Sequence, residues 1–141
     1  MNLPVSFNIA ITLKTIENAF RKSVAELHLE LPAEAFGILM ITYFHNDIIQ
    51  QDIAEMANKD KSAVLRYIDL LEGKGMVQRQ PDGNDRRKNR IIITDSGKKI
   101  AQILIEKEYD LFLKLSQGTD IHEMEIFNKV LCVLRNNAEG V

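Results

Sequence analysis

Between Lys74 and Arg90, six basic side chains (Lys74, Arg79, Arg86, Arg87, Lys88, Arg90) stand against two acids, Asp82 and Asp85, a local charge of +4. The whole chain carries −2, so the remainder carries −6. Screening confines distant charge to a reach of about 8 Å in physiological salt, so such a cluster can attract phosphate although the molecule is acidic. A solvated, charged hairpin would have the same composition. A second set, Lys61, Ser62, Ala63 and Arg66, combines cations, a hydroxyl and a methyl group. Arginine can donate two hydrogen bonds to one guanine, and an alanine methyl can touch a thymine methyl.

Other chemistries leave weaker marks. There is no nucleophile–base signature, no glycine-rich phosphate loop and no paired-carboxylate motif, so an enzyme is not expected. A triad assembled from distant residues would leave no such mark, however. His28, His45 and His122 are far apart in sequence, and His122 with Glu123 and Glu125 scatters its ligands around a helix. No metal site or cofactor is expected. The single cysteine, Cys132, cannot form an internal disulfide. It falls on the apolar side of the last helix and is expected to be a buried, inert thiol.

The elements that must position these residues follow from periodicity. A chain of 141 residues, 45% hydrophobic and 27% charged, can bury a core and is expected to form one soluble domain. Its longest apolar run, Phe36 to Phe44, is broken by Gly37 and Thr42 and falls far short of the ~20 residues a membrane span needs. Met1-Asn2-Leu3-Pro4 lacks the basic start of a signal peptide, so a cytoplasmic location is expected. From Phe7 to Leu31, apolar residues recur at helical spacing through Ile9, Leu13, Ile16, Phe20, Val24 and Leu27. Pro32 is expected to end that helix near Glu30. Ala33 to His45 is apolar on nearly all sides and suits a buried helix.

A short helix is expected over Gln51–Asn58, with Ile53, Ala54 and Ala57 inward. The next starts behind Asp60 as N-cap and runs to about Glu72, with Val64, Leu65, Ile68 and Leu71 on one face. Gly73 and Gly75 stop it. Two short helices on a tight connector form a helix-turn-helix. Strands are expected over Met76–Gln80 and Asn89–Thr94, joined by a loop of about eight residues, longer than a tight hairpin needs. Thr94 can cap the following helix, which carries Ile100, Ile103, Leu104, Leu111 and Leu115. Gly118 breaks it, and Asp120 starts the last helix. The order helix, turn, helix, strand, basic loop, strand is that of a winged helix-turn-helix. Its second short helix can enter a DNA major groove, while the wing puts Arg86, Arg87 and Lys88 beside the backbone or in a minor groove. The same topology can instead serve protein contacts without specific DNA readout.

Four fragments make the likeness specific: Gln50-Gln51-Asp52-Ile53-Ala54, Leu71-Glu72-Gly73-Lys74-Gly75-Met76-Val77-Gln78-Arg79, Asp85-Arg86-Arg87 and Ile93-Thr94-Asp95-Ser96-Gly97. In this order and spacing they resemble the MarR family of transcriptional regulators, over about Gln50 to Gly97. The resemblance implies a mainly α fold: a winged helix-turn-helix reading head at about 48–97, and dimerisation helices at 5–31 and 98–138, all within one MarR-like domain. It implies a homodimer on a pseudo-palindromic duplex operator, acting as a repressor. DNA contacts are expected through Lys61, Ser62, Ala63, Arg66, Arg79, Arg86, Arg87 and Lys88; the resemblance implies that Ser62 and Ala63 lie in the base-reading stretch and that Asp85 orients Arg87 by a salt bridge.

A small aromatic or phenolic effector is implied as well, with Phe20, Met40, Tyr43 and Phe44 as candidate lining residues or plain core. Two positions depart from the family pattern. Ala63 replaces a commoner hydroxyl residue, and Ile49 stands where a Ser or Thr cap is usual, so packing is expected to set the start of the first short helix.

Overall fold

The computed structural model describes residues 3–141. Met1 and Asn2, on which the expectation of no signal peptide partly rests, lie outside the described residues. The elements are α1 (Val5–Ala25), α2 (Ala33–Phe44), β1 (Ile48–Ile49), α3 (Gln50–Ala57), α4 (Lys61–Gly73), β2 (Val77–Pro81), β3 (Asn89–Ile93), α5 (Asp95–Leu115) and α6 (Ile121–Glu139). The chain divides into two compact units, one running to Tyr109 and the other Asp110–Val141. Among the described residues, no helix is long and apolar enough to cross a membrane.

The first unit is built around α2. Its Ala35, Phe36, Ile38 and Leu39 are buried together with Ile53 of α3, Val64, Ile68 and Leu71 of α4, and Ile91 of β3. A helix apolar on nearly all sides is stable only when several partners cover it, and here α3, α4 and β3 all pack on α2. The one hydroxyl in its interior, Thr42, donates to the Ile38 carbonyl at 2.9 Å, so no buried polar group is left unpaired there.

Three expectations about the elements and core of this first unit are corrected. First, α1 ends at Ala25, about five residues before the expected stop. His28 and Glu30 have φ of +47° and +51°, which a right-handed helix cannot contain. Leu27, Leu29 and Leu31 still pack on the core, so loop residues continued the helical spacing without the helix. Second, the sheet has three antiparallel strands in the order β1-β3-β2, not two. The added strand pairs Ile48 with Ile91 and Ile49 with Arg90, and two residues are too few to register as a period. Third, Leu65 does not join Val64 and Ile68 in the core but is 43% exposed.

Helix ends explain how the head is held. The turn from α4 to β2 passes through Gly75 at φ +69°, where glycine avoids the steric cost of a left-handed residue. Ile49 precedes α3 with no side-chain cap; it is instead the last residue of β1, paired with Arg90 of β3. Thr94 accepts from the Gly97 N–H at 3.0 Å and donates to the Gly75 carbonyl at 2.6 Å, tying the start of α5 to the α4–β2 turn. In the second unit, Asp120 and Glu123 form a reciprocal capping box at the start of α6, the arrangement that satisfies two otherwise open N–H groups. Cys132 on α6 is exposed, not buried, because no residue of α6 is fully buried.

Candidate nucleic-acid interface

The start of α4 is organised by Asp60. Its Oδ1 accepts from the Ala63 N–H at 2.8 Å and from the Ser62 hydroxyl at 2.5 Å. The Ser62 hydroxyl and then the Ala63 amide hold the Asp60 carboxyl below its ordinary value. The Ser62 proton is thus engaged in the cap, leaving its oxygen to accept. Ala63 is half-buried, whereas Lys61 and Arg66 are exposed. The Arg66 guanidinium lies 5.3 Å from the Tyr67 ring centroid, within cation–π range. Leu65, one turn beyond Lys61, adds an apolar group to the exposed side of α4. Sequence reasoning missed it because leucine at helical spacing is the usual mark of a core position.

The β2–β3 loop, residues 82–88, is folded on its own acids. Asp82 is buried, and its Oδ1 accepts from the N–H groups of Asn84 and Asp85 at 2.8 and 3.0 Å. Those two amides, followed by the charges of Arg90 and Lys88, lower its pKa against the opposing effect of burial. The Asp82 and Lys88 ends of the loop are joined by Asp82 N–H to the Lys88 carbonyl, 2.9 Å. Asp85 accepts from Arg87 Nε at 3.1 Å and from the Arg87 N–H at 3.1 Å, and these contacts lower the Asp85 pKa. The expected Asp85–Arg87 pair is therefore formed, with the Arg87 side chain 91% exposed.

The basic cluster is less free than its composition implies. Lys74 pairs with Glu30 of the α1–α2 loop at 3.5 Å. Arg79 pairs with Asp69 at 2.5 Å and also with Glu72, bracing β2 against α4. Arg90 pairs with Asp47 at 2.5 Å and with Asp82 at 3.5 Å. Those carboxylates, Asp47 first, raise the Arg90 pKa further. Three of the six cations are thus matched by acids that, Asp82 apart, lie outside the Lys74–Arg90 window and so outside its charge count. Arg86 and Lys88 are exposed, and Arg87 reaches out from its bridge to Asp85. The Asp47–Arg90–Asp82 contact was not anticipated, because nothing local pairs residues 47 and 90 unless β1 is known.

A cavity of about 710 Å³ lies in the first unit, floored by α2 and flanked by α1 and α5. Phe20, Met40 and Phe44 line it as expected; Tyr43 does not line it, and instead meets Phe44 edge-on at 5.3 Å. Its rim carries Glu17, Glu34 and Glu108 with Arg21 and Lys59. No group of three or more His, Cys, Asp or Glu residues suited to a metal occurs among the described residues.

Two short helices on a tight connector, a three-stranded antiparallel sheet and a basic β2–β3 loop define a winged helix-turn-helix of the DNA-reading class. The family model of the MarR family matches residues 31–88. The chain is 31% identical over 132 residues to the uncharacterized HTH-type transcriptional regulator YybA of Bacillus subtilis (strain 168), covering 93% of this chain and 84% of that protein. It is 30% identical over 105 residues to a second such regulator of that strain, YdgJ. That match takes in 74% of this chain but 63%, under two thirds, of YdgJ. The chain belongs to the MarR family of transcriptional regulators.

Solved structures agree on the fold. A putative MarR family regulator from Listeria monocytogenes, complexed with a 26mer DNA, superimposes with a TM-score of 0.84 at 17% identity, over 96% of this chain and 89% of that one. CouR from Rhodococcus jostii RHA1, bound to p-coumaroyl-CoA, superimposes with a TM-score of 0.78 at 16% identity, over 91% and 88%.

Proposed function

We propose that this chain is a cytoplasmic repressor that binds duplex DNA sequence-specifically as a homodimer on a pseudo-palindromic operator. Residues 48–97 form the reading head; helices within 5–31 and 98–138 make the dimer, the whole acting as one MarR-like domain. The observation that carries the reading is the wing arginine: Arg87 is oriented by Asp85 yet 91% exposed, the condition a side chain needs to enter a minor groove. Lys61, Ser62, Ala63 and Arg66 at the start of α4 read the major groove, and Arg86 and Lys88 contact phosphates. Arg79 contributes through its hold on the α4–β2 corner. The complex of the Listeria relative with DNA supports the assignment.

Dimer formation is supported by apolar side chains left exposed on α1 (Val5, Phe7, Ile9, Leu13) and on α6 (Ile121, Phe127, Val130, Leu134). Large apolar side chains left uncovered on each of these helices are what an interface needs. A two-fold dimer presents two reading heads to two half-sites, which makes the operator palindromic. The effector is a small aromatic or phenolic ligand in the α1–α2–α5 cavity, where Phe20, Met40 and Phe44 supply the apolar walls. CouR, solved with an aromatic acyl-CoA, supports that class. Such a ligand releases DNA only by its differential affinity for the free and bound states.

The test is selection of bound duplexes from a random library with purified protein. An enriched palindrome with half-sites about one helical turn apart is expected. On that duplex, Arg87→Ala should weaken binding by about 1–3 kcal/mol, the scale of a lost groove contact. No enrichment from a folded, dimeric protein would favour a protein-interaction module on the same scaffold.

A further inference from the structure

We propose that Arg90 is a positioning residue for the wing, clamping the base of the β2–β3 loop to the turn before β1 and so fixing where Arg86, Arg87 and Lys88 are presented. This rests on the DNA-binding reading above. Arg90 lies on the central strand, between Ile49 of β1 and Gln80 of β2. Its guanidinium is held from two sides. Nε donates to Asp47 Oδ1 at 2.5 Å and Nη2 to Asp47 Oδ2 at 2.6 Å, a two-pronged pair. Nη1 donates to Asp82 Oδ2 at 3.5 Å. The other oxygen of Asp82 holds the amides of Asn84 and Asp85, and Asp85 holds Arg87. An unbroken series of polar contacts therefore runs from Asp47, in the α2–β1 turn at φ +69°, to the exposed wing arginine.

A clamp accounts for this geometry better than a phosphate contact. Both edges of the Arg90 fork are already occupied, and two carboxylates against one guanidinium leave the cluster at −1, which repels phosphate. Nor is the cluster a large source of fold stability. The Arg90 and Asp47 side chains are 37% and 43% exposed, and ion pairs at that exposure add little to folding. What the contacts fix is the direction in which the wing leaves the sheet.

The experiment compares wild type, Arg90→Leu, Asp47→Asn and the double variant. Amide hydrogen exchange of residues 84–88 in the free protein reads wing order directly. Both single variants are expected to raise it severalfold while the urea midpoint stays near wild type. On the duplex selected by the wild type, each single variant should lose about five- to twentyfold in affinity, and the double variant no more than the larger single. The log–log salt slope should remain that of wild type, because no phosphate contact is removed. A slope reduced by about 0.9 in Arg90→Leu would mean that Arg90 touches phosphate itself and would overturn the proposal. So would unchanged exchange, or losses that simply add. Asp47→Asn opens the clamp from the opposite side and keeps the test valid if Arg90→Leu folds poorly. If the wild type selects no duplex, the DNA reading fails, while the exchange arm still decides whether Arg90 orders the wing.

Discussion

Replacing Gly97 by alanine tests whether the start of α5 is seated as tightly as the structure places it. A Cβ built at Gly97 falls 2.0 Å from the Met76 carbonyl oxygen, 2.8 Å from Ile93 Cγ1 and 2.9 Å from the Met76 carbonyl carbon. Ordinary contact begins near 3.4 Å, so the oxygen would have to retreat by about 1.4 Å. Two of the three atoms are backbone, and that backbone is not free to move. The same Met76 carbonyl accepts from the Thr94 N–H at 3.0 Å, and Thr94 caps α5 through Gly97 itself. Overpacking a fixed site costs roughly 1–3 kcal/mol. With a urea slope of roughly 1–3 kcal/mol per molar, Gly97→Ala should lower the unfolding midpoint by about 1 M at fixed protein concentration. Gly83→Ala, in the wing with nothing within 4 Å of the new methyl, is the control and should hold the wild-type midpoint. A wild-type midpoint for Gly97→Ala would refute the close approach. It would also leave the glycine of the Ile93-Thr94-Asp95-Ser96-Gly97 segment without its physical reason.

Gly37 offers the opposite case: it lies inside α2, has nothing within 4 Å of a built Cβ and lines the cavity. Gly37→Ala should therefore raise stability by about 0.5–1 kcal/mol, the helix cost of glycine, as read by the same urea titration; a lowered midpoint would contradict the open space. Acid should loosen the head through Asp60, Asp82 and Asp85, whose folded pKa values all lie below the ordinary 3.8. Their contribution is complete above that value and is lost as pH falls through the lower folded values. The urea midpoint should hold from pH 7 to 5 and drop by pH 3, and the drop should be smaller in Asp82→Asn, which titrates nothing at 82. An equal drop in that variant would remove Asp82 from the account.

Legibility from sequence followed the physics that fixed each element. Asp60, Thr94 and Asp120 were recognisable as caps because capping depends on a side chain and amides two or three residues away. Gly75 and Gly118 were recognisable as stops, and both hold positive φ. The wing pair Asp85–Arg87 is as local, but it was implied by the family resemblance and not by the residues themselves. What escaped was set by tertiary contact. β1 is a strand only because β3 lies beside it. α1 stops at Ala25 although Leu27 and Leu31 keep its period, since those leucines reach the core from a loop. Leu65 carries the side chain of a core residue on the outer side of α4. Tyr43 belonged to an aromatic cluster in sequence, but its neighbour Phe44 and not Tyr43 lines the cavity.

The acids that pair with the basic cluster decide how this head can hold a polyanion. Of the eight cations at positions 61, 66 and 74–90, Lys74, Arg79 and Arg90 are tied to Glu30, to Asp69 and Glu72, and to Asp47 and Asp82. Each of those pairs ties its cation to another element or loop of the first unit, so the three cations shape the surface that the other five present. Lys61, Arg66, Arg86, Arg87 and Lys88 remain directed at solvent, Arg87 from its bridge to Asp85. If only these displace counterions, from a groove or from a phosphate, the slope of log affinity against log salt should be about −4.5 per chain, at about 0.9 per cation. Full engagement of all eight would give about −7. The two values are separable by an anisotropy titration across a fivefold range of salt. A slope near −7 would mean that DNA breaks the bridges to Asp69, Glu72 and Asp47, and with them the bracing assigned to Arg79 and Arg90. A slope near −4.5 would mean that the acids opposite the cluster are part of the reading head, keeping three arginine and lysine side chains on the protein so that five can be placed on the DNA.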